Sequence, residues 1–163
     1  MYKIKLLILL LTSVLIFSCA KENEKLPNNK YSLAYIGGEY DGLLLKNLLS
    51  AHLKNFDLYS NQSRYEIRSN ISHSNNIFIT NIDNTSDRER VTSNIVIEIF
   101  DKEEGCLTDN FEKEIEQFFV YASSDKFMSN QKALEKIKFD NTETLIKKFI
   151  NYINNINHRC HAE

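Results

Sequence analysis

The chain has 163 residues, of which 42% are hydrophobic and 26% charged, and its 20 lysines and arginines against 22 acidic residues give a formal net charge of −2. With no long basic block in it, that balance argues against nucleic acid as the main partner. The length suits one domain that buries a single core, and leaves little room for two.

At the N-terminus Lys3 and Lys5 precede an almost unbroken apolar run from Leu6 to Phe17, and polarity changes abruptly at Lys21. This is a signal-peptide profile. A dozen helical residues span about 18 Å, short of the roughly 30 Å hydrocarbon core, so a permanent transmembrane helix is not expected there. Ile16-Phe17-Ser18-Cys19 resembles the bacterial lipobox, with an aliphatic residue at −3, a small one at −1 and the lipid-accepting cysteine. Cys19 is therefore the expected lipidation site, and the absence of Asp at Ala20 favours the periplasmic face of the outer membrane. Removing residues 1–18 takes away Lys3 and Lys5 and leaves 18 basic against 22 acidic residues. The expected organisation is a signal peptide over 1–18, a lipidated tether over 19–29, one domain over 30–158, and a flexible tail over 159–163.

Within the domain Tyr31, Leu33 and Tyr35 alternate with Ser32 and Ala34, predicting a short strand that Gly37-Gly38 ends. Leu44, Leu45, Leu48, Leu49, Leu53 and Phe56 then lie on one stripe of a helix starting near Asp41. From Arg64 the period shortens to two, with Tyr65, Ile67 and Ile71 opposite Glu66, Arg68, Asn70 and Ser72. The polar run His73–Asn76 predicts a bend or bulge before Ile77, Ile79 and Ile82 resume an apolar edge. Val91, Ile95, Ile97 and Ile99 form the clearest strand, and Lys102-Glu103-Glu104-Gly105 reads as a hairpin turn. The returning strand carries Phe111, Ile115, Phe119 and Tyr121 on one side, and Glu112, Glu114, Glu116, Phe118 and Val120 on the other. Ser123-Ser124-Asp125 is a plausible cap for a long helix through Ala133, Leu134, Ile137, Leu145, Phe149, Ile153 and Ile156, with a bend or fraying expected at Asp140–Thr142.

The order strand, helix, three strands, helix predicts an α+β domain, with two helices on one face of a mostly antiparallel four-stranded sheet. The other face is then left open, with Phe78, Phe100, Phe118 and Val120 among charged neighbours. Glycine-rich phosphate loop, nucleophile elbow and zinc-spaced histidine pair are all missing, so neither an enzyme nor a cofactor is expected. His52 reads as a core or boundary residue of the first helix, and Glu112, Glu114 and Glu116 as a solvated acidic edge. An exported domain permits a disulfide between Cys106 and Cys160; two free thiols are the alternative. His158, Cys160 and His161 supply soft ligand types, but on a tail expected to be loose, and no metal site is assigned.

Several strings taken together resemble LptE, the lipopolysaccharide-assembly lipoprotein family, in its alphaproteobacterial form. They are Arg88-Glu89-Arg90-Val91-Thr92, the run through Ile95, Ile97 and Ile99 to Asp101-Lys102 and Gly105, then Tyr121, Asp125-Lys126-Phe127 and the closing helix. The leucine-rich first helix and Tyr65-Glu66-Ile67 fall in the places the family pattern expects. The resemblance implies a protein without catalytic residues that sits in the lumen of the LptD β-barrel, supports its assembly and assists lipopolysaccharide delivery. Arg64, Arg68, Arg88, Arg90 and Lys113 are the implied candidates for meeting anionic lipopolysaccharide. A contrasting expectation is an auxiliary periplasmic lipoprotein of an ABC transporter, or an activator of a cell-wall synthase.

Overall fold

A computed structural model describes residues 29–79, 87–120 and 126–160. Cys19, Tyr121, the expected cap at 123–125 and His161 lie outside them. The elements are β1 (Tyr31–Gly37), α1 (Glu39–Asn55), β2 (Tyr65–Ile79), β3 (Asp87–Asp101), β4 (Cys106–Val120) and α2 (Phe127–Ile153). This is the α+β order read from the sequence. The sheet order is β1-β2-β3-β4, with β2, β3 and β4 antiparallel and β1 parallel to β2. The sheet is thus mixed: α1 returns the chain so that β2 runs alongside β1 in the same direction.

The two helices meet the face lined by Ile67 and Ile71 of β2, by Ile95, Ile97 and Ile99 of β3, and by Phe111 of β4. From α1 come Leu45, Leu49 and Leu53, and from α2 Leu145, Ile146, Phe149, Ile150 and Ile153, all buried. Phe111 packs edge-on against Phe149, with ring centroids 5.5 Å apart. Leu44 and Leu48 are only half-buried, and Phe56 is exposed at the helix end. The apolar stripe of α1 is therefore narrower than its leucine content suggests.

Helix α1 starts two residues earlier than its apolar pattern does, because the backbone of Gly38 begins it. Gly38 has φ 109°, and a Cβ there would stand 2.5 Å from the Ile71 carbonyl oxygen. Gly42 is equally confined: its Cβ would meet the Gly37 carbonyl oxygen at 2.5 Å. These two glycines let α1 lie against the strand end that precedes it.

Four local expectations are corrected. In β1, Leu33 pairs with Ile67 but Ile36 with Ser69, so Ala34 and Tyr35 share one residue of β2. That bulge reverses the alternation, turning Tyr35 outward at 69% exposure and Ile36 onto the core. No bulge forms at His73–Asn76: β2 and β3 pair residue for residue from Tyr65↔Asp101 to Ile79↔Asp87. The polar side chains there find partners, His73 on Ser93 and Asn75 on Glu89, and the ladder continues beneath them. Helix α2 is unbroken through Asp140–Thr142, with Asn141 and Thr142 fully buried. The Thr142 hydroxyl donates to the Lys138 carbonyl one turn back at 2.7 Å, and the Asn141 amide donates to Ser93 at 2.9 Å. Finally α2 closes at Ile153 rather than near Ile156, and Ile156 packs on the core from the tail.

Ile97 is fully buried at the centre of β3. Ile97→Asp places an unpaired carboxylate there at a cost of several kcal/mol. Circular dichroism melting of this variant is expected to show no cooperative transition, and a normal melting curve would mean that this strand face is misassigned.

Candidate functional site

Alternation along β2, β3 and β4 puts Arg68, Arg88 and Arg90 on the sheet face that no helix covers, together with Glu66, Glu98, Glu112, Glu114 and Glu116. The ion pairs leave these groups unequally free. Arg68 lies over the Phe100 ring, 4.5 Å from its centroid, and is held by Glu66 at 3.0 Å. Phe100 is consequently half-buried. Arg90 pairs with Glu116 at 3.5 Å, and Glu116 also accepts from Thr92. Arg88 is exposed at the far end of β3, opposite Val120 in the register. Lys113 pairs with Ile95 across the ladder and so belongs to the helix side of the edge strand, away from the three arginines.

Arg64 belongs to the opposite end of the sheet. Its guanidinium bonds the Asp101 carboxylate at 2.7 Å and 2.5 Å and Glu104 at 2.5 Å, and it stands 3.4 Å from Glu103. Asp101, 2% exposed, also accepts the backbone N–H groups of Glu103 and Glu104 at 2.9 Å and 3.2 Å. The hydrogen bond from Arg64 is the main reason that the Asp101 carboxyl is held below the usual carboxylate range, and the same bond raises Arg64. Arg64 therefore clamps the β3–β4 hairpin, its charge met by three carboxylates. The five cationic candidates do not form one site. Arg88 and Arg90 are neighbours at one end of the open face, Arg68 shares that face but pairs with Glu98, eight positions along β3 from Arg90, and Arg64 and Lys113 are set apart.

The far end of the sheet is the apolar one. Ile77, Phe118 and Val120 are each more than half exposed, and so are Phe127 and Met128, which begin α2. In the register Ile77, Glu89 and Phe119 lie side by side, next to Arg88 and Val120. Phe118 and Val120 thus lie on the open face as the sequence indicates, while the Phe78 side chain is outside the described residues.

Two polar networks inside the domain carry no sequence motif. Near the hairpin end the His158 ring, 1% exposed, bonds Asp109 through Nδ1 at 2.5 Å and the Tyr31 hydroxyl through Nε2 at 2.7 Å. It stacks obliquely on Tyr65, centroids 4.3 Å apart. Burial, reinforced by the Asp109 carboxylate, holds the Tyr31 phenol well above the ordinary tyrosine range, so Tyr31 keeps its proton. Asp109 can reach this position because the pairing of β3 with β4 shifts between Ile99 and Phe100, leaving Thr108 over. The Thr108 hydroxyl donates to the Ile99 carbonyl at 3.0 Å. Mid-sheet, His73 Nδ1 meets the Ser93 hydroxyl at 2.7 Å, and Asn141 of α2 meets the same hydroxyl. Neither network opens to a substrate: Tyr31, Ser93 and Asn141 are all fully buried.

Cys106 and Cys160 are joined by a disulfide, with Cα atoms 5.7 Å apart and a sequence separation of 54. By loop-closure entropy such a bridge stabilises the fold by about 4 kcal/mol. The Glu104 carboxylate lies within 4.8 Å of both sulfurs. Sulfurs bonded to each other offer no thiolate to a metal.

No family model and no curated protein matches the chain by sequence. Solved structures match it by fold. A minor lipoprotein from Acinetobacter baumannii superposes with a TM-score of 0.56 at 16% identity, covering 77% of this chain and 90% of its own. Rare lipoprotein B from Shewanella oneidensis gives a TM-score of 0.52 at 11% identity, covering 76% and 97%. A protein from Xanthomonas campestris gives 0.51 at 5% identity, covering 77% and 83%. This chain shares their fold.

Burial is the main cause that lowers the pKa of His73 from 6.5; Lys138 also lowers it, and Asp41 opposes the shift. The folded protein therefore binds the His73 proton more weakly than the unfolded chain does. The stability from a neutral His73 is fully present above pH 6.5, declines as the pH falls below it, and levels off beneath the folded-state value. Denaturant titrations from pH 8 to 5 are expected to show this decline in the wild type and a shallower one in His73→Gln, and equal slopes would remove the assignment.

Proposed function

We propose that this chain is an outer-membrane lipoprotein, lipidated at Cys19, that seats in an LptD-type β-barrel, supports its assembly and assists lipopolysaccharide delivery. The observation that carries the reading is the far end of the open face, where Phe118 and Val120 stand exposed, opposite Arg90 and Arg88 in the register. Apolar side chains exposed side by side on an uncovered sheet face point to a contact surface. Two of the fold neighbours are lipoproteins, and the lipobox at Ile16–Cys19 points the same way, as does the LptE resemblance of the β3–β4 strings.

The chain enters β1 at the end of the sheet formed by Tyr65 and Asp101, while the apolar end lies at Ile79 and Val120. A strand of fifteen residues extends roughly 45 Å, so a lipid on Cys19 would hold one end while the other reaches its partner. A tether of this kind raises the effective concentration of the domain at a barrel in the same membrane. Among the described residues no helix is long and apolar enough to cross a membrane, and the anchor in this reading is the acyl chain alone. Binding of lipopolysaccharide phosphates falls first to Arg88, exposed on the open face, rather than to Arg64, whose guanidinium is already held by three carboxylates. The role requires contact and no bond-making chemistry.

Affinity capture from outer membranes solubilised in mild detergent tests the barrel partnership. A large β-barrel is expected to copurify with the wild type and to be depleted at least tenfold with Phe118→Ser/Val120→Asp, a pair of exposed positions whose replacement leaves the melting temperature within a few degrees. Capture without any barrel would end the reading in favour of a transporter or synthase accessory. Lipidation is tested separately: mass spectrometry of protein from its native cell should find an acylated Cys19 as the first residue, and a free, unacylated terminus would remove the anchor.

A further inference from the structure

Beyond Asn155 the chain is held to the domain chiefly through side chains. Residues 156–160 form no helix or strand, and no backbone hydrogen bond ties them to a described residue. Ile156 packs on the core, His158 enters the pocket of Tyr31, Tyr65 and Asp109, and Cys160 is bonded to Cys106. The strand that His158 touches is the least supported in the sheet. β1 pairs on one side only, through Tyr31–Leu33 and Ile36–Gly37, with a bulge between. Its first residue is further fixed by the Tyr31 N–H donating to the Leu58 carbonyl at 2.8 Å and by the Ser60 N–H donating to the Tyr31 carbonyl at 2.9 Å. The disulfide is at the surface, Cys160 exposed and Cys106 half-buried, where a reductant can reach it.

We propose that the Cys106–Cys160 disulfide is a redox latch, which when closed seats His158 between Tyr31 and Asp109 and thereby fixes the start of β1, and when opened releases both. Opening is a thiol–disulfide exchange with a dithiol. One thiolate of the dithiol attacks a sulfur of the bond and forms a mixed disulfide, and its second thiolate displaces the protein sulfur. Two electrons pass to the protein, the dithiol departs as its own disulfide, and Cys106 and Cys160 each end as a thiol. With Cys160 freed, the ring of His158 and the half-buried side chain of Ile156 have to hold the tail against the conformational freedom of residues 157–160. When the ring leaves, Asp109 and Tyr31 lose a buried polar partner, and their hydration draws the end of β1 open. The latch acts within this domain and does not depend on the barrel or lipid reading: either could fail with the other intact.

Amide hydrogen exchange of the full-length protein, read by mass spectrometry before and after treatment with dithiothreitol, tests the proposal. Reduction is expected to speed exchange over Tyr31–Leu33 and at Ser60 by roughly tenfold, while amides of β3 stay within about twofold. Cys160→Ser should reproduce that pattern without reductant, and His158→Gln should reproduce it with the disulfide intact. Unchanged exchange at β1 on reduction, or in either variant, overturns the latch. Equal acceleration across β1, β3 and α2 overturns it too, because the bridge would then act as a general staple.

Discussion

The backbone ladder between β2 and β3 runs over all fifteen residues of each strand, from Tyr65↔Asp101 to Ile79↔Asp87, and the other elements take their places from it. The alternation it imposes sorts Ile67, Ile71, Ile95, Ile97 and Ile99 to one face and Arg68, Arg88, Arg90 and Glu98 to the other. Two helices cover the first face. Nothing among the described residues covers the second. The ladder also extends past the helices' apolar contacts, and its far end carries exposed Ile77, Phe118 and Val120. The buried core and the exposed apolar end are therefore two consequences of one uninterrupted pairing.

The two ends of the sheet differ in chemistry for reasons of local geometry. At the hairpin end, the tight turn brings Asp101, Glu103 and Glu104 around Arg64, and the extra residue Thr108 lets Asp109 face His158. The Arg64 charge is fully engaged there, and the Cys106–Cys160 disulfide ties down the same end. At the other end no comparable network forms around Arg88 among the described residues, and apolar side chains stand in the solvent.

Solved structures at 16% identity and below share this fold while most of their side chains differ. What such distant chains can share is the periodicity, which only requires apolar residues of about the right size on one face. The arginines of the open face are under no such demand.

The amino-acid sequence alone determines the α+β order, the period-two runs of β3 and β4, the leucine stripe of α1, and the Asp101–Gly105 turn, because each follows from residues close together in the chain. It shows Phe118 and Val120 on the side opposite Phe111 and Ile115 for the same reason. Only tertiary structure decides the bulge that turns Tyr35 outward, the straight passage of β2 through His73–Asn76, and the unbroken course of α2 across Asn141 and Thr142. In each case the deciding partner is distant: Ser69 for Ile36, Ser93 for both His73 and Asn141. Likewise Arg64 looks like a free cation in the sequence and becomes a hairpin clamp through Asp101, and His158 and Tyr31 meet across 127 residues. Local periodicity says which way a side chain points if the pairing is regular; what it meets there depends on strands and tails that sequence distance does not bring together.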